Sequence, residues 1–129
     1  MINSGAYNYI NVLDKAADAG WLRNEVINNN IANATTPNYK RQDVQFESYL
    51  LTALAGENSL DEAVAGIDLS DITATTYTEY AGLSYRMDGN NVDIATENVE
   101  LAKNQLRYNT LVDAINKEFN GIKTVLTSK

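Results

Sequence analysis

Apolar and polar residues follow helical spacing in two long stretches of this chain, separated by a middle that keeps to no single period. In the first stretch Ile10, Leu13, Ala17, Gly20, Asn24, Ile27 and Ile31 recur at steps of three and four, the stripe of a coiled-coil-like helix. Ala17, Gly20 and Asn24 weaken that stripe. Small residues there let another helix approach closely, and a buried Asn24 would need a hydrogen-bonding partner. Trp21 and Leu22 flank the stripe and widen it, so contacts with more than one neighbour are expected. The second stretch is more regular: Ile94, Asn98, Leu101, Gln105, Tyr108, Val112, Ile115, Phe119, Ile122 and Leu126 follow at four and three without a break. A helix over this span would reach about 50 Å at 1.5 Å per residue, more than a compact chain of this size needs. Asp93 stands where an N-cap belongs, Glu97 and Glu100 lie near the positive end of the helix dipole, and Lys123 and Lys129 near the negative end. Asn98 and Gln105 fall on the seam, where polar groups fix register and partner choice. The predicted fold is mainly α: long N- and C-terminal helices packed as a coiled-coil-like pair, with a short irregular or small β middle region.

The first helix must stop before Pro37, the only proline in the chain. Pro37 presets φ for a turn and pushes Thr36 toward extended geometry, and Asn38 is one of the few non-glycine residues that accept the left-handed conformation a type II turn needs next. The helix is therefore expected to end near Asn33 or Thr35. Asn29, Asn30 and Asn33 are placed to satisfy the carbonyls of its last turn or to bond across to a neighbour, and Tyr39, Lys40 and Arg41 present an aromatic and two cations just beyond. In the middle, residues 48–55 suit a short helix, and Ser59 heads another through Val64. Residues 71–85 are rich in Thr and Tyr and suit extended chain, and Asp88-Gly89 is a turn of the kind that closes hairpins, so a small extended region or a hairpin is expected here. Gly56 and Gly66 are the candidate hinges. The expected division is residues 1–41 for the first assembly helix and its turn, 42–91 for the middle, and 92–129 for the second assembly helix.

Composition narrows the chemistry. At 129 residues the chain forms one modest domain. It has no histidine and no cysteine, which removes the commonest general base, the usual nucleophile–base pairs, disulfides and ordinary zinc sites. An enzyme is not expected, nor any cofactor or metal. A net charge of −7 argues against nucleic acid and anionic membrane surfaces, and no apolar run approaches the roughly 20 residues needed to span a bilayer. The start of the chain is read as carrying no cleaved secretory signal. Charge is unevenly placed: residues 42–85 contain no Lys or Arg but Asp43, Glu47, Glu57, Asp61, Glu62, Asp68, Asp71 and Glu79, so an acidic middle lies between two near-neutral ends. Asp88-Gly89-Asn90-Asn91-Val92-Asp93 has a superficial likeness to a calcium loop but lacks its ligand spacing and closing glutamate, and reads as a turn followed by a helix cap. Asn33-Ala34-Thr35 matches a glycosylation acceptor, a pattern too short to carry weight.

The run Asn29-Asn30-Ile31-Ala32-Asn33-Ala34-Thr35-Thr36-Pro37-Asn38-Tyr39-Lys40-Arg41 resembles the NNIANxxTPxYK/R signature of bacterial flagellar rod and hook proteins. The blocks from Tyr85 through Ile94 and from Asn104 through Asn109 look like the proximal-rod branch of that family, and together the three are spread over most of the chain. Asn38 stands where many relatives have glycine, a departure the turn accepts, and the long central insertion of distal-rod and hook members is missing. The resemblance implies a structural subunit of the proximal rod of the basal body that polymerises helically and transmits torque. It implies export through the flagellar type III channel, and as partners other copies of the chain, other rod proteins, and the membrane ring and export gate at the rod base. The subunit interface it suggests comprises Asn29, Asn30, Ile31, Asn33, Thr36, Pro37, Tyr39, Lys40 and Arg41 on the signature segment. On the second helix it comprises Leu101, Gln105, Tyr108, Val112, Ile115, Phe119, Ile122 and Leu126. A soluble coiled-coil adaptor or export chaperone would share the heptads and is the alternative.

Overall fold

The structure is a computed structural model that describes residues 4–80 and 86–128. A long helix α1 (Ser4–Ala32) opens the chain and a longer one, α4 (Ile94–Thr127), closes it. Between them lie strand β1 (Gln42–Gln45), helix α2 (Glu47–Leu54), helix α3 (Leu60–Ala65), a 3₁₀ turn (Leu69–Ile72) and strand β2 (Thr75–Thr78). The fold is mainly α with a small two-stranded sheet in the middle, as the periodicity predicts. The long helices run antiparallel: Asn30 of α1 meets Glu97 of α4, while ten residues back along α1 the Gly20 carbonyl accepts from Asn104 Nδ2 at 2.8 Å.

Several starts and stops follow from local chemistry. Asp93 caps α4, accepting from the backbone N–H of Ala95 at 3.0 Å and of Thr96 at 3.4 Å, and Ser59 Oγ caps α3 by accepting from Glu62 N at 3.2 Å. Phe46, at the cap position of α2, makes no side-chain cap. It enters a small core with Ala19 of α1 and Ile72, flanked by Ala16, Leu50, Ile67 and Leu69. Burying Phe46 there contributes about 1.5–3 kcal/mol, which a short helix without a buried residue of its own needs from its neighbours.

Helix α1 buries two faces. The expected stripe turns Ile10, Ala17 and Ile27 inward, and Val12, Ala19 and Val26 are buried as well on a face that meets the middle region. The second neighbour is therefore real, but Trp21, expected to widen the stripe, is exposed. Helix α4 corrects the predicted seam. Ile94, Asn98 and Gln105 are exposed, while Glu97 and Asn104, each displaced by one residue from a predicted polar seam position, are buried. The inward phase of α4 is set by polar partners on α1 and on the signature segment, which outweigh the apolar repeat in its first half. Of the two readings of the Thr- and Tyr-rich stretch, the extended one holds for strand β2, while the hairpin closed at Asp88-Gly89 is not formed among the described residues. Strand β2 pairs antiparallel with β1, from Gln42 opposite Thr78 to Gln45 opposite Thr75, across the whole α2–α3 connection. The turn at Asp88-Gly89 closes no strand pair among the described residues and packs instead against the end of α1. Residues 81–85 of the predicted extended stretch lie outside the described residues.

Candidate functional site

The end of α1, the turn after it and the segment leading into α4 form one polar junction. Asn33 Nδ2 donates to the Asn29 carbonyl at 2.8 Å and closes the last helical turn, and Thr36 Oγ1 donates to Asn33 Oδ1 at 3.1 Å. Tyr39 N donates to the Thr36 carbonyl at 3.3 Å, and Asn38, at the third position of that turn, has φ 61°, the left-handed conformation anticipated for it. Asn30, 0% exposed, is saturated. Its Nδ2 donates to the Gln42 carbonyl at 2.8 Å and to Glu97 Oε2 at 3.2 Å, and its Oδ1 accepts from Gln42 N at 2.9 Å and from the Tyr39 hydroxyl at 3.1 Å. The amide thus pairs with both backbone groups of Gln42, as a strand residue would, and ties the helix end to β1.

Arg41 carries the charge of the junction. Its Nε donates to Glu97, its Nη1 to Glu79 and its Nη2 to Asp43 at 3.3 Å. Glu97 is 1% exposed, so Arg41 and Asn30 stand where water would otherwise solvate its carboxylate. Burial works against the guanidinium charge, but the hydrogen bonds to Glu97 and Glu79 and the nearby Asp43 outweigh it and hold the Arg41 pKa above its ordinary value. Arg23 of α1 extends the network, donating to Asp43 at 2.9 Å and to Glu100 of α4 at 3.4 Å.

The segment before α4 completes the junction. Asn90, also fully buried, donates from Nδ2 to the carbonyls of Asn33 at 2.8 Å and Thr36 at 2.9 Å. Arg86 Nη2 reaches the Ala34 carbonyl at 3.0 Å, Asn38 N donates to the Asp88 carbonyl at 2.7 Å, and Lys40 Nζ donates to the Gly89 carbonyl. Gly89 has φ 74°, which strains any side chain, and a Cβ built there would lie 2.6 Å from Asn38 Oδ1, so a larger residue at this point also has to push the Asn38 amide aside. The backbone N–H of Asn90 above all, and then the Arg86 guanidinium, hold the Asp88 carboxyl below its usual range.

No protein-family model matches the chain. Curated relatives do. A flagellar basal body rod protein FlgB of Bacillus subtilis is 40% identical over 117 residues, covering 89% of this chain and 90% of its own. The FlgB of Borrelia hermsii is 31% identical over 94% of this chain and 92% of its own, and that of Escherichia coli 32% identical over 82% and 83%. The chain belongs to the FlgB family of flagellar basal body rod proteins.

Its role is that of a structural rod subunit in the flagellar basal body, and the adaptor alternative is not favoured. Among the described residues no group of three His, Cys, Asp or Glu side chains is placed to hold a metal ion, and no helix is long and apolar enough to cross a membrane. The junction's chemistry is that of a clamp: every strong donor named above meets an acceptor of the same chain.

The residues suggested for the interface of this FlgB-family chain divide accordingly. Asn30, Tyr39, Lys40 and Arg41 are engaged inside the subunit, and Ile31 and Asn33 are half-buried beside them. Asn29, Thr36 and Pro37 are exposed. On α4, Leu101, Tyr108, Val112 and Ile115 are half-buried and Ile122 is buried, while Gln105, Phe119 and Leu126 are exposed. Sequence reasoning missed Asn90, Asn91 and Arg86 as partners of the signature, and Glu97 as the counter-charge to Arg41. A glutamate placed one step off an apolar seam, with an arginine just past a helix stop, was the available signal for the last.

Proposed function

We propose that this subunit stacks helically with copies of itself and with other rod proteins to build the proximal part of the flagellar rod, next to the membrane ring and export gate, and transmits torque. It reaches that position through the flagellar type III channel and catalyses no reaction. The observation that carries the reading is the apolar surface left open on a structure whose junction is closed on its own polar groups: Trp21 is 56% exposed on α1, and Phe119 and Leu126 are 51% and 64% exposed on α4. Side chains of this size on helices tens of ångströms long suit contacts spread over several neighbours, so that no single contact carries the load. The exposed part of the signature segment, Asn29, Thr36 and Pro37, and the α4 positions Gln105, Phe119 and Leu126 are the interface residues of this reading. Junction residues such as Asn30 and Arg41 act on assembly by holding those surfaces at a fixed angle.

Fractionation of intact basal bodies from a strain that expresses this chain tests the reading. The chain is expected in the basal-body fraction, and a strain lacking it is expected not to swim. Recovery in the cytoplasmic fraction alone, with normal basal bodies, would return the adaptor alternative.

A further inference from the structure

Trp21 is two residues from both Ala19 and Arg23, which at 3.6 residues per turn puts it on the side of α1 opposite the middle region. On that flank of the helix pair lies a notch of about 230 Å³, lined by Trp21, Asn24, Gln105, Tyr108 and Asn109. The indole of Trp21 leans on Tyr108, ring centroids 6.1 Å apart, and remains half open to solvent. Asn24 Oδ1 is buried in this wall without a hydrogen-bond donor among the described residues. Buried acceptors are rarely left so, and this oxygen is closed to solvent, so a donor from outside the subunit reaches it only when the Asn24 amide, which no hydrogen bond among the described residues holds, turns into the notch it lines. The rim is acidic. Asp14, Asp18, Trp21 and Glu25 follow at steps of four, three and four and are all exposed, and none of the three carboxylates forms an ion pair among the described residues.

The complement of this surface is found on the same chain. On its outer side α4 exposes Val99, Lys103 and Leu106, again at steps of four and three, with Val99 and Leu106 well clear of the seam. The only ion pair of Lys103 among the described residues is with Glu100 of its own helix at 3.6 Å. We infer that the Val99–Lys103–Leu106 ridge of a second copy seats on the flank of the first, the Asn24 amide turning into the notch to accept from Lys103, which also faces Asp18 and Glu25, while the two apolar residues cover Trp21. Opposite charge, matched helical spacing and an acceptor that lacks a donor pick out this ridge among the exposed surfaces. Because ridge and notch are different surfaces of one chain, the contact is head-to-tail and propagates instead of closing as a dimer. The inference rests on the rod reading and specifies which faces meet.

Quantitative recovery of the chain in purified basal bodies tests it. If the wild-type chain is absent, the rod reading fails and this contact with it. With the wild type present, Lys103→Glu sets like charges against each other and is expected to lower recovery about tenfold or more. The purified variant should keep its helix content and melting temperature, since Lys103 is exposed. Adding Asp18→Lys and Glu25→Lys to it should restore recovery. Asn24→Leu, which removes the acceptor, should also lower recovery. Wild-type recovery of either single variant overturns the contact, which for Asn24→Leu would mean that water serves the oxygen, and so does a triple variant that stays absent. As a check independent of folding, a benzoylphenylalanine photo-crosslinker in place of Asn28, exposed one turn beyond Asn24, is expected to capture residues 99–106 of another copy. Capture of a different segment or a different protein would refute the inference.

Discussion

The two ends of the helix pair are held together by opposite kinds of chemistry. Where α1 ends and α4 begins, Asn30, Arg41, Glu97 and Asn90 form a junction of saturated amides and paired charges, closed over by two interlocked turns. Where α1 begins and α4 ends, no such network exists among the described residues. Ile10 and Ile122 are buried there, Tyr9 donates to Asp61 at 2.5 Å, and Phe119, Val125 and Leu126 are exposed. Hydrogen bonds and ion pairs demand one geometry, whereas apolar contacts accept several. The junction therefore sets the shape of the subunit, and the far end leaves apolar surface for contacts made outside it.

The contrast is broken most strongly at Arg41. Arg41→Met leaves Glu97 buried with Asn30 as its one remaining partner among those described, and removing one member of a buried ion pair costs about 3–5 kcal/mol. Urea unfolding of the purified chain should show that loss, and Arg41→Met combined with Glu97→Leu should recover much of it, since an apolar pair needs no solvation. A double variant no more stable than the single one would mean that Arg41 acts through Glu79 and Asp43 instead. Gly89→Ala comes next. It forces a side chain into a left-handed backbone and against Asn38, an expected cost of about 1–3 kcal/mol in the same measurement. An unchanged midpoint would show that the two turns do not interlock.

The mid-helix glycine sharpens the comparison from the other direction. The small residues of α1 suggest a close helix approach, but it does not require glycine: a Cβ on Gly20 would lie 3.5 Å from the Tyr108 ring, an ordinary contact. Gly20→Ala should therefore stabilise the chain by about 0.5–1 kcal/mol through helix propensity, read as a higher melting temperature. A lower melting temperature would show that α1 and α4 are packed tighter here than that distance implies.

These cases mark how much of the molecule was legible from its residues. Both long helices, the stop before Pro37, the left-handed Asn38 and the Asp93 and Ser59 caps follow from local rules, because each depends on neighbours a few residues away. The rotation of α4 does not. A heptad count places Asn98 and Gln105 inward, but the energy of burying Glu97 against Arg41 and Asn104 against the Gly20 carbonyl turns the helix by about 50°, half a residue step, which keeps Leu101 and Tyr108 on the inner face. Those partners lie more than fifty positions apart in the chain, so no periodicity within α4 could reveal them. The same holds for the asparagines. Their density beside a helix stop was visible, yet that Asn30 serves Gln42 and Asn90 serves Asn33 and Thr36 emerges only when three segments meet. Strand β2 finding β1 instead of a following partner is a third non-local choice.

The smallest effect on the isolated chain separates the two ends most clearly. Phe119 belongs to the predicted seam, and it is 51% exposed. If its work were done inside the subunit, Phe119→Ser would leave a cavity and cost several kcal/mol, as truncating a core aromatic does. An exposed position away from caps and networks instead predicts a change within about 0.5 kcal/mol. The same substitution should nevertheless impair swimming, because the side chain is one of the large apolar groups this end offers to a neighbour. Melting temperature and motility measured on one variant thus read the two roles separately. A destabilised chain would move Phe119 into the subunit core. A stable chain that swims normally would show that this end of α4 touches no neighbour through Phe119, and would shift the assembly surface toward Trp21 and the outer ridge of α4.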